Sequence, residues 1–202
     1  MKLYEHPGFP NPRRVRIFLA EKSVEIPTET IDVPGGAHQR PEFLNKNPSG
    51  LIPALETDTG EVISESASIC RYIEELYPTP ALMGENALEK ATVDMWHRRI
   101  ENQLFNPLGA YFHHSTQGLG DDRYRNAEWG EHSREQARAE LKKLDTLLAS
   151  RDYISGEQYG IADITALCAI DLAQSLKVAN LDEFEHLHNW HSRVSARPSA
   201  AA

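Results

Sequence analysis

The stretch NPSGLIPALETDTGEVISESASICRYIEELYP, Asn47–Pro78, decides the fold. Asn47-Pro48-Ser49-Gly50 is turn chemistry: proline presets φ and glycine supplies conformational freedom. Leu51–Leu55 is a short apolar run. Its Pro53 cannot donate to a sheet ladder, so the run belongs at an edge or a bend. Thr57-Asp58-Thr59-Gly60 reads as a second turn and Glu61-Val62-Ile63 as a second strand. Ser64 is then a good helix N-cap, with Glu65 and Ser66 in the first turn. Ile69, Ile73 and Leu76 recur at helical spacing and predict a buried stripe, and Tyr77-Pro78 ends the helix.

This arrangement suits capture of a small anionic, peptide-like ligand. A helix N-terminus offers free N–H groups and a partial positive charge, to which Ser66 adds a hydroxyl. Glu65 beside it suits an ammonium group. A strand interrupted by Pro53 leaves the backbone of Ile52 free to pair with an extended ligand. Carboxylate, ammonium and peptide backbone together describe the γ-glutamyl-cysteinyl part of glutathione. Taken alone, the Ser64–Ser66 triplet is an ordinary helix start.

Read in order, Asn47-Pro48-Ser49-Gly50, Ile52-Pro53-Ala54-Leu55 and Glu65-Ser66-Ala67-Ser68-Ile69 closely resemble the glutathione-binding half of cytosolic glutathione transferases, with N-terminal motifs like those of the theta, phi and bacterial nu classes. The resemblance implies a cis bond before Pro53, pairing of the Ile52 backbone with the cysteinyl residue, and a hold by Glu65 and Ser66 on the γ-glutamyl end. It also assigns the glycine carboxylate to the loop at His38-Gln39-Arg40, with Gln39 favoured over Arg40 and His38. A solvated polar loop is the plain alternative there.

The remainder of the chain agrees with two domains. Lys2–Glu5 predicts a strand, His6–Pro12 a loop, Arg13–Glu21 a helix with Val15, Leu19 and Phe18 inward and the arginines outward, and Glu25–Ile31 a second strand. That is a βαβ unit, whose first two strands should be parallel. After Pro34-Gly35-Gly36, a short helix near Pro41–Asn45 leads into the central stretch. The order βαβαββα is that of a thioredoxin-like domain over residues 1–77. A linker at 78–87 and an all-helical domain at 88–202 follow, so the fold class is α/β plus all-α.

In the helical part, Leu88–His114 reads as one long helix, kinked at Pro107 if anywhere. Trp96, Ile100, Leu104 and Leu108 form its core face. Gly118–Asp122 breaks the pattern. Ala127–Ser150 follows with Trp129, Ala137, Leu141, Leu144 and Leu148 inward. Ile154–Ile164 resembles the family's structural signature before a buried helix, with Gly160 where a capping Ser or Thr usually stands and Asp163 structural. Ile164–Ala173 is apolar almost all round, and its Asp171 requires a partner. Leu187–Ser195 is the last helix.

Composition sets further bounds. The net charge of −9 and pI near 5.5 disfavour nucleic acid or an anionic membrane as partner. No apolar run is long enough to span a bilayer, and Met1-Lys2-Leu3-Tyr4 opens without a signal peptide, which predicts a cytoplasmic protein. Cys70 and Cys168 lie far apart on predicted helices and suit a reducing compartment. His186, His188 and His191 lack metal-ligand spacing, so no metal is expected.

The loop between first strand and first helix holds no cysteine, so any thiol chemistry must use a ligand's thiol. A free thiol has a pKa of about 8.5 and is only a few per cent thiolate at neutral pH, so a donor must stabilise the anion. The family position for that donor falls on Phe9, which cannot donate. Phe9-Pro10-Asn11 partly resembles the Thr-Pro-Asn segment of nu-class enzymes, which assigns the role to the Asn11 amide. The competing reading of Asn11 is a helix cap. Tyr4 is a weaker choice, since it reads as a core residue of the first strand.

The resemblance implies a glutathione S-transferase of the detoxification type, a homodimer, with glutathione as co-substrate and a small electrophile bound between the domains near Phe9, Tyr111 and His114. Two alternatives stay open. One is a glutathione-dependent disulfide or peroxide reductase on the same fold. The other is a non-enzymatic partner-binding regulator, which Phe9 favours and the intact Ile52-Pro53 and Glu65-Ser66 oppose.

Overall fold

The computed structural model describes residues 1–119 and 124–202. The chain divides into two compact units, Met1–Ala81 with Ala201–Ala202, and Leu82–Ala200.

The first unit is thioredoxin-like. Strand β1 (Lys2–Glu5), helix α1 (Pro10–Glu21), strand β2 (Thr28–Thr30), helix α2 (Pro41–Leu44), strands β3 (Ala54–Glu56) and β4 (Val62–Ser64) and helix α3 (Ser66–Leu76) follow in that order. The sheet order is β2-β1-β3-β4. β1 runs parallel to β2 and antiparallel to β3, with Leu3 opposite Leu55 and Tyr4 opposite Ala54. Side chains alternate across a strand. Tyr4 and Ala54 therefore share one face, where they pack with Ile31 and Phe43. Leu3 and Leu55 point to the other face and are fully buried, as are Phe18, Ile69 and Ile73 on the mutually packed α1 and α3.

Several boundaries differ from the sequence expectation. α1 begins at Pro10, three residues early, because prolines fit a helix's first turn, where an N–H would lack a partner anyway. β2 keeps only three residues, and β3 begins after Pro53 rather than at Leu51. Ser64 closes β4 and does not cap; Glu65 takes the N-cap position of α3. Leu76 is exposed, and Glu74 is buried in its place. The reason is Lys22, the C-cap of α1. Its ammonium is enclosed, pairs with Glu74 and donates to the Pro80 carbonyl, fastening α1, α3 and the segment after it.

The second unit is helical: α4 (Ala87–Ile100), α5 (Asn106–Ser115), α6 (Ala127–Leu148), α7 (Ile161–Ser175) and α8 (Glu185–Ser195). The expected single helix at 88–114 is interrupted at Glu101–Phe105 by a wider turn, closed by the Asn106 N–H on the Glu101 carbonyl five residues back. Pro107 has no N–H and its ring would meet the carbonyl four residues before it. The widened turn takes up that mismatch, and Pro107 sits in the first turn of α5. Ile100, Leu104 and Leu108 are fully buried as expected, Trp96 is half-buried, and Trp129 is 49% exposed rather than inward. Trp129 lies one turn from the α6 start, where its N–H is capped by Asn126 (3.0 Å) and its ring lies against His132. The break at Gly118–Asp122 lies partly outside the described residues.

α7 is buried on all sides from Ile161 to Ile170. Its start explains the glycine at 160. A Cβ there would come within 2.6 Å of the Leu82 carbonyl, which accepts the Ile161 N–H at 2.9 Å. Asp163 accepts from the N–H groups of Ile154 (2.9 Å) and Gly160 (3.1 Å) and from Trp190 Nε1 (3.0 Å). Asp171 finds its partner in His191 Nε2 at 2.7 Å, so His191 belongs to the packing of α7 and α8. Among the described residues no helix is long and apolar enough to cross a membrane.

Candidate functional site

The expected ligand residues of the first unit come from three places: the turn and loop before β3, the start of α3, and the start of α1. Asn47 builds the first. It is buried, and its Nδ2 donates to the Leu51 carbonyl at 2.7 Å while its Oδ1 accepts from Ser49 Oγ at 3.0 Å. Gly50 has φ +63°, which a side chain disfavours, and a Cβ there would sit 2.6 Å from Gln39 Nε2. These contacts set the path into Ile52, whose bond to Pro53 is cis. The Ile52 N–H and C=O have no partner among the described residues, which leaves both backbone groups open.

Of the three residues expected at a carboxylate, Gln39 reaches this segment. Its Nε2 donates to the Gly50 carbonyl, at 3.4 Å. Arg40 turns back to the Gly35 carbonyl (3.2 Å). His38 is half-buried with Nδ1 lacking a partner.

The start of α3 is the most unusual backbone in the unit. Ala54 pairs with Ser64, so Pro53 and Glu65 stand one residue beyond the paired rung. Glu65 has φ 65° and ψ 118° and makes no side-chain cap bond. A non-glycine residue there is strained by on the order of 1–3 kcal/mol and persists only where its surroundings hold it. The result is a helix start with uncapped N–H groups on Ser66, Ala67 and Ser68, the buried Ser66 at the first position, and the exposed Glu65 carboxylate beside them.

The start of α1 is built differently. Phe9 is its N-cap, in extended backbone, with its ring on His6 (centroids 4.7 Å apart). The loop before it is held by Arg16, which pairs with Glu5 and donates to the Pro7 carbonyl at 3.1 Å. Asn11 is the second helical residue and caps nothing, which removes the capping reading. Pro10 and Pro12 lack N–H groups, so Asn11 supplies the one backbone N–H of the opening three residues. Its side chain accepts from Arg14 Nη2 at 3.3 Å. Arg14 is 1% exposed, against the expectation that the arginines face outward. The signal was in the spacing, since Asn11, Arg14, Val15 and Phe18 share one helical face. Tyr4 is buried and its hydroxyl donates to Glu56, so it is committed to the core. Hydrogen bonds from Lys46 and then Tyr4 hold the Glu56 carboxyl below the usual range.

In the second unit, Tyr111 and His114 are half-buried on α5. The Arg134 guanidinium lies over the Tyr111 ring at 5.8 Å, and His114 Nδ1 accepts from the Asn126 N–H at 3.3 Å. Among the described residues no group of His, Cys, Asp and Glu is placed to hold a metal ion. Cys70 and Cys168 are buried and unbridged.

Comparison with known proteins agrees with this geometry. The family model for the glutathione S-transferase N-terminal domain matches residues 10–76, and that for the C-terminal domain matches residues 104–198. The chain is 40% identical to glutathione S-transferase 2 of Saccharomyces cerevisiae over 98% of its own length and 87% of the relative's. The crystal structure of Gtt2 from the same yeast superposes with a TM-score of 0.95 at 40% identity, covering 100% of this chain and 99% of that one. A glutathione S-transferase domain-containing protein of Marinobacter aquaeolei gives 0.96 at 38% identity, covering 98% and 99%. With both halves of the fold, the cis Ile52-Pro53 bond and the Glu65-Ser66 helix start in place, the chain belongs to the glutathione S-transferase family.

Proposed function

We propose that this protein binds glutathione and transfers it, as thiolate, to a small electrophile. The observation that carries the reading is the start of α3: a charged residue, Glu65, held at positive φ beside uncapped N–H groups and Ser66. Strain of this kind without a structural cap bond is what a ligand site needs and a purely structural helix start avoids. In this reading Glu65 and Ser66 hold the γ-glutamyl end, the Ile52 backbone pairs with the cysteinyl residue next to Pro53, and Gln39, with His38 and Arg40 nearby in sequence, meets the glycine carboxylate. Tyr111 and His114 are assigned to the electrophile. Family membership also supports a cytoplasmic homodimer.

Phe9 cannot donate to the sulfur, which alone would favour a partner-binding regulator. Asn11 answers it, with a backbone N–H and a side-chain NH₂ at the positive end of α1. Each unit of thiol pKa depression corresponds to about 1.4 kcal/mol of preference for the thiolate, within reach of two donors and a helix dipole.

Calorimetric titration with glutathione, followed by the ultraviolet thiolate signal against pH, tests the reading. Binding with a thiol pKa well below that of free glutathione is expected. No binding at millimolar glutathione would overturn it in favour of the regulator. Turnover of a small disulfide with none of an aryl halide would shift the activity to reduction.

A further inference from the structure

We propose that Arg14 is a positioning residue: it fixes which end of the Asn11 amide is offered to the bound thiolate. The inference rests on the reading of Asn11 as thiol donor. An unrestrained asparagine amide presents its oxygen or its NH₂ with nearly the same shape, and only the NH₂ end can donate to an anion. A turned amide would place a carbonyl against the sulfur and oppose the thiolate.

The structure supplies the restraint. Arg14 lies one helical turn beyond Asn11 on α1, is 1% exposed, and directs Nη2 to Asn11 Oδ1 at 3.3 Å. A guanidinium carries donors only and stays charged throughout the range in which a thiol titrates. It can therefore take only the oxygen end of the amide, and turning the amide would set donor against donor. Nδ2 is left as the end available to donate. Asn11 makes no other side-chain hydrogen bond among the described residues, so the orientation depends on this contact. Burial holds Arg14 itself in place, which an exposed arginine at the same spacing would not provide.

The test is a double-mutant cycle read as the thiol pKa of bound glutathione. Four proteins are compared: the native chain, Asn11→Ala, Arg14→Met and the double variant, with glutathione affinity measured for each. Asn11→Ala is expected to raise the bound thiol's pKa. Arg14→Met is expected to raise it by about half a unit or more, with affinity changed much less than the thiolate fraction. The double variant should match Asn11→Ala alone.

An equal Arg14→Met shift in the Asn11→Ala background would overturn positioning and make Arg14 a direct electrostatic contributor. A shift from Asn11→Ala with none from Arg14→Met would overturn the Arg14 proposal and leave Asn11 as donor. No shift from Asn11→Ala, with glutathione still bound, would remove Asn11 as donor and the positioning role with it. Should Arg14→Met fail to fold, Arg14→Gln carries the same test. Its amide can meet either end of the Asn11 amide and so imposes neither, and the same pKa rise is expected, absent in the Asn11→Ala background.

Discussion

Two helix starts in this protein solve the same problem in opposite ways. At α7 the start is tied down: Asp163 takes the N–H groups of Ile154 and Gly160 and the Trp190 indole, and the Leu82 carbonyl takes the Ile161 N–H beside Gly160. At α3 the N-cap Glu65 is strained, makes no cap bond, and leaves the first N–H groups open. One start is spent on internal hydrogen bonds and the other leaves its donors open. A strained terminus with open N–H groups, beside one tied down around Asp163 in the same chain, is what motivates the proposed ligand site at α3.

The largest way to break this contrast is at α7. Asp163→Ala leaves three buried donors without an acceptor and should destabilise the protein by about 3–5 kcal/mol in urea unfolding. Less than about 1 kcal/mol would remove Asp163 from its structural role. Its pH dependence has a definite sign. Burial pushes the Asp163 carboxyl from 3.8 up to about 6, against the pull of its hydrogen bonds to Ile154, Trp190 and Gly160. The proton is therefore bound more tightly in the folded state. This group's stabilising contribution is full below 3.8 and is lost as pH rises through about 6. The difference in unfolding free energy between the native chain and Asp163→Asn should change across that window and be flat above it.

At the other ends of α1 and α3 the enclosed Lys22–Glu74 pair ties the two helices together. Lys22→Met takes the ammonium away from the buried Glu74 carboxylate and should cost about 3 kcal/mol in thermal or urea unfolding, whereas replacing both partners with Met and Leu should restore most of it. A double variant as unstable as the single one would show that the pair does more than cancel charge.

Glu65→Gly sharpens the comparison because its two effects oppose. Relief of the positive φ should leave stability unchanged or raise it by about 1 kcal/mol. Glutathione affinity should fall at least tenfold by calorimetry. A loss of both would mean that the Glu65 side chain is structural. Smallest in stability is Ser66→Ala, expected to change unfolding by less than about 0.5 kcal/mol. It should still weaken glutathione several-fold, and unchanged affinity would exclude the hydroxyl.

Much of this was legible in the chain itself. The turn residues of Asn47–Gly50, the proline at 53 and the helical stripe through Ile69 and Ile73 place β3, β4 and α3, since turn chemistry and periodicity are local. The apolar run of α7 announces burial for the same reason. The resemblance around Ile52-Pro53 and Glu65-Ser66 pointed to one end of the proposed site.

Other features needed the fold. Ser64 reads as the better cap, yet β4 continues through it because its rung pairs with Ala54, and the cap falls to Glu65 at a φ no propensity predicts. Leu76 lost its buried place to Glu74 because Lys22, remote in sequence, required a carboxylate. Asp171 was unexplained until α8 brought His191 to it.

Arginine at position 14 looked like solvent-facing charge, since composition assigns charge to the surface. Sequence determined which segments are helix and strand and which residue types stand around the proposed ligand site. Tertiary structure decided which polar groups are spent on one another and which are left open, because that depends on partners distant in the chain.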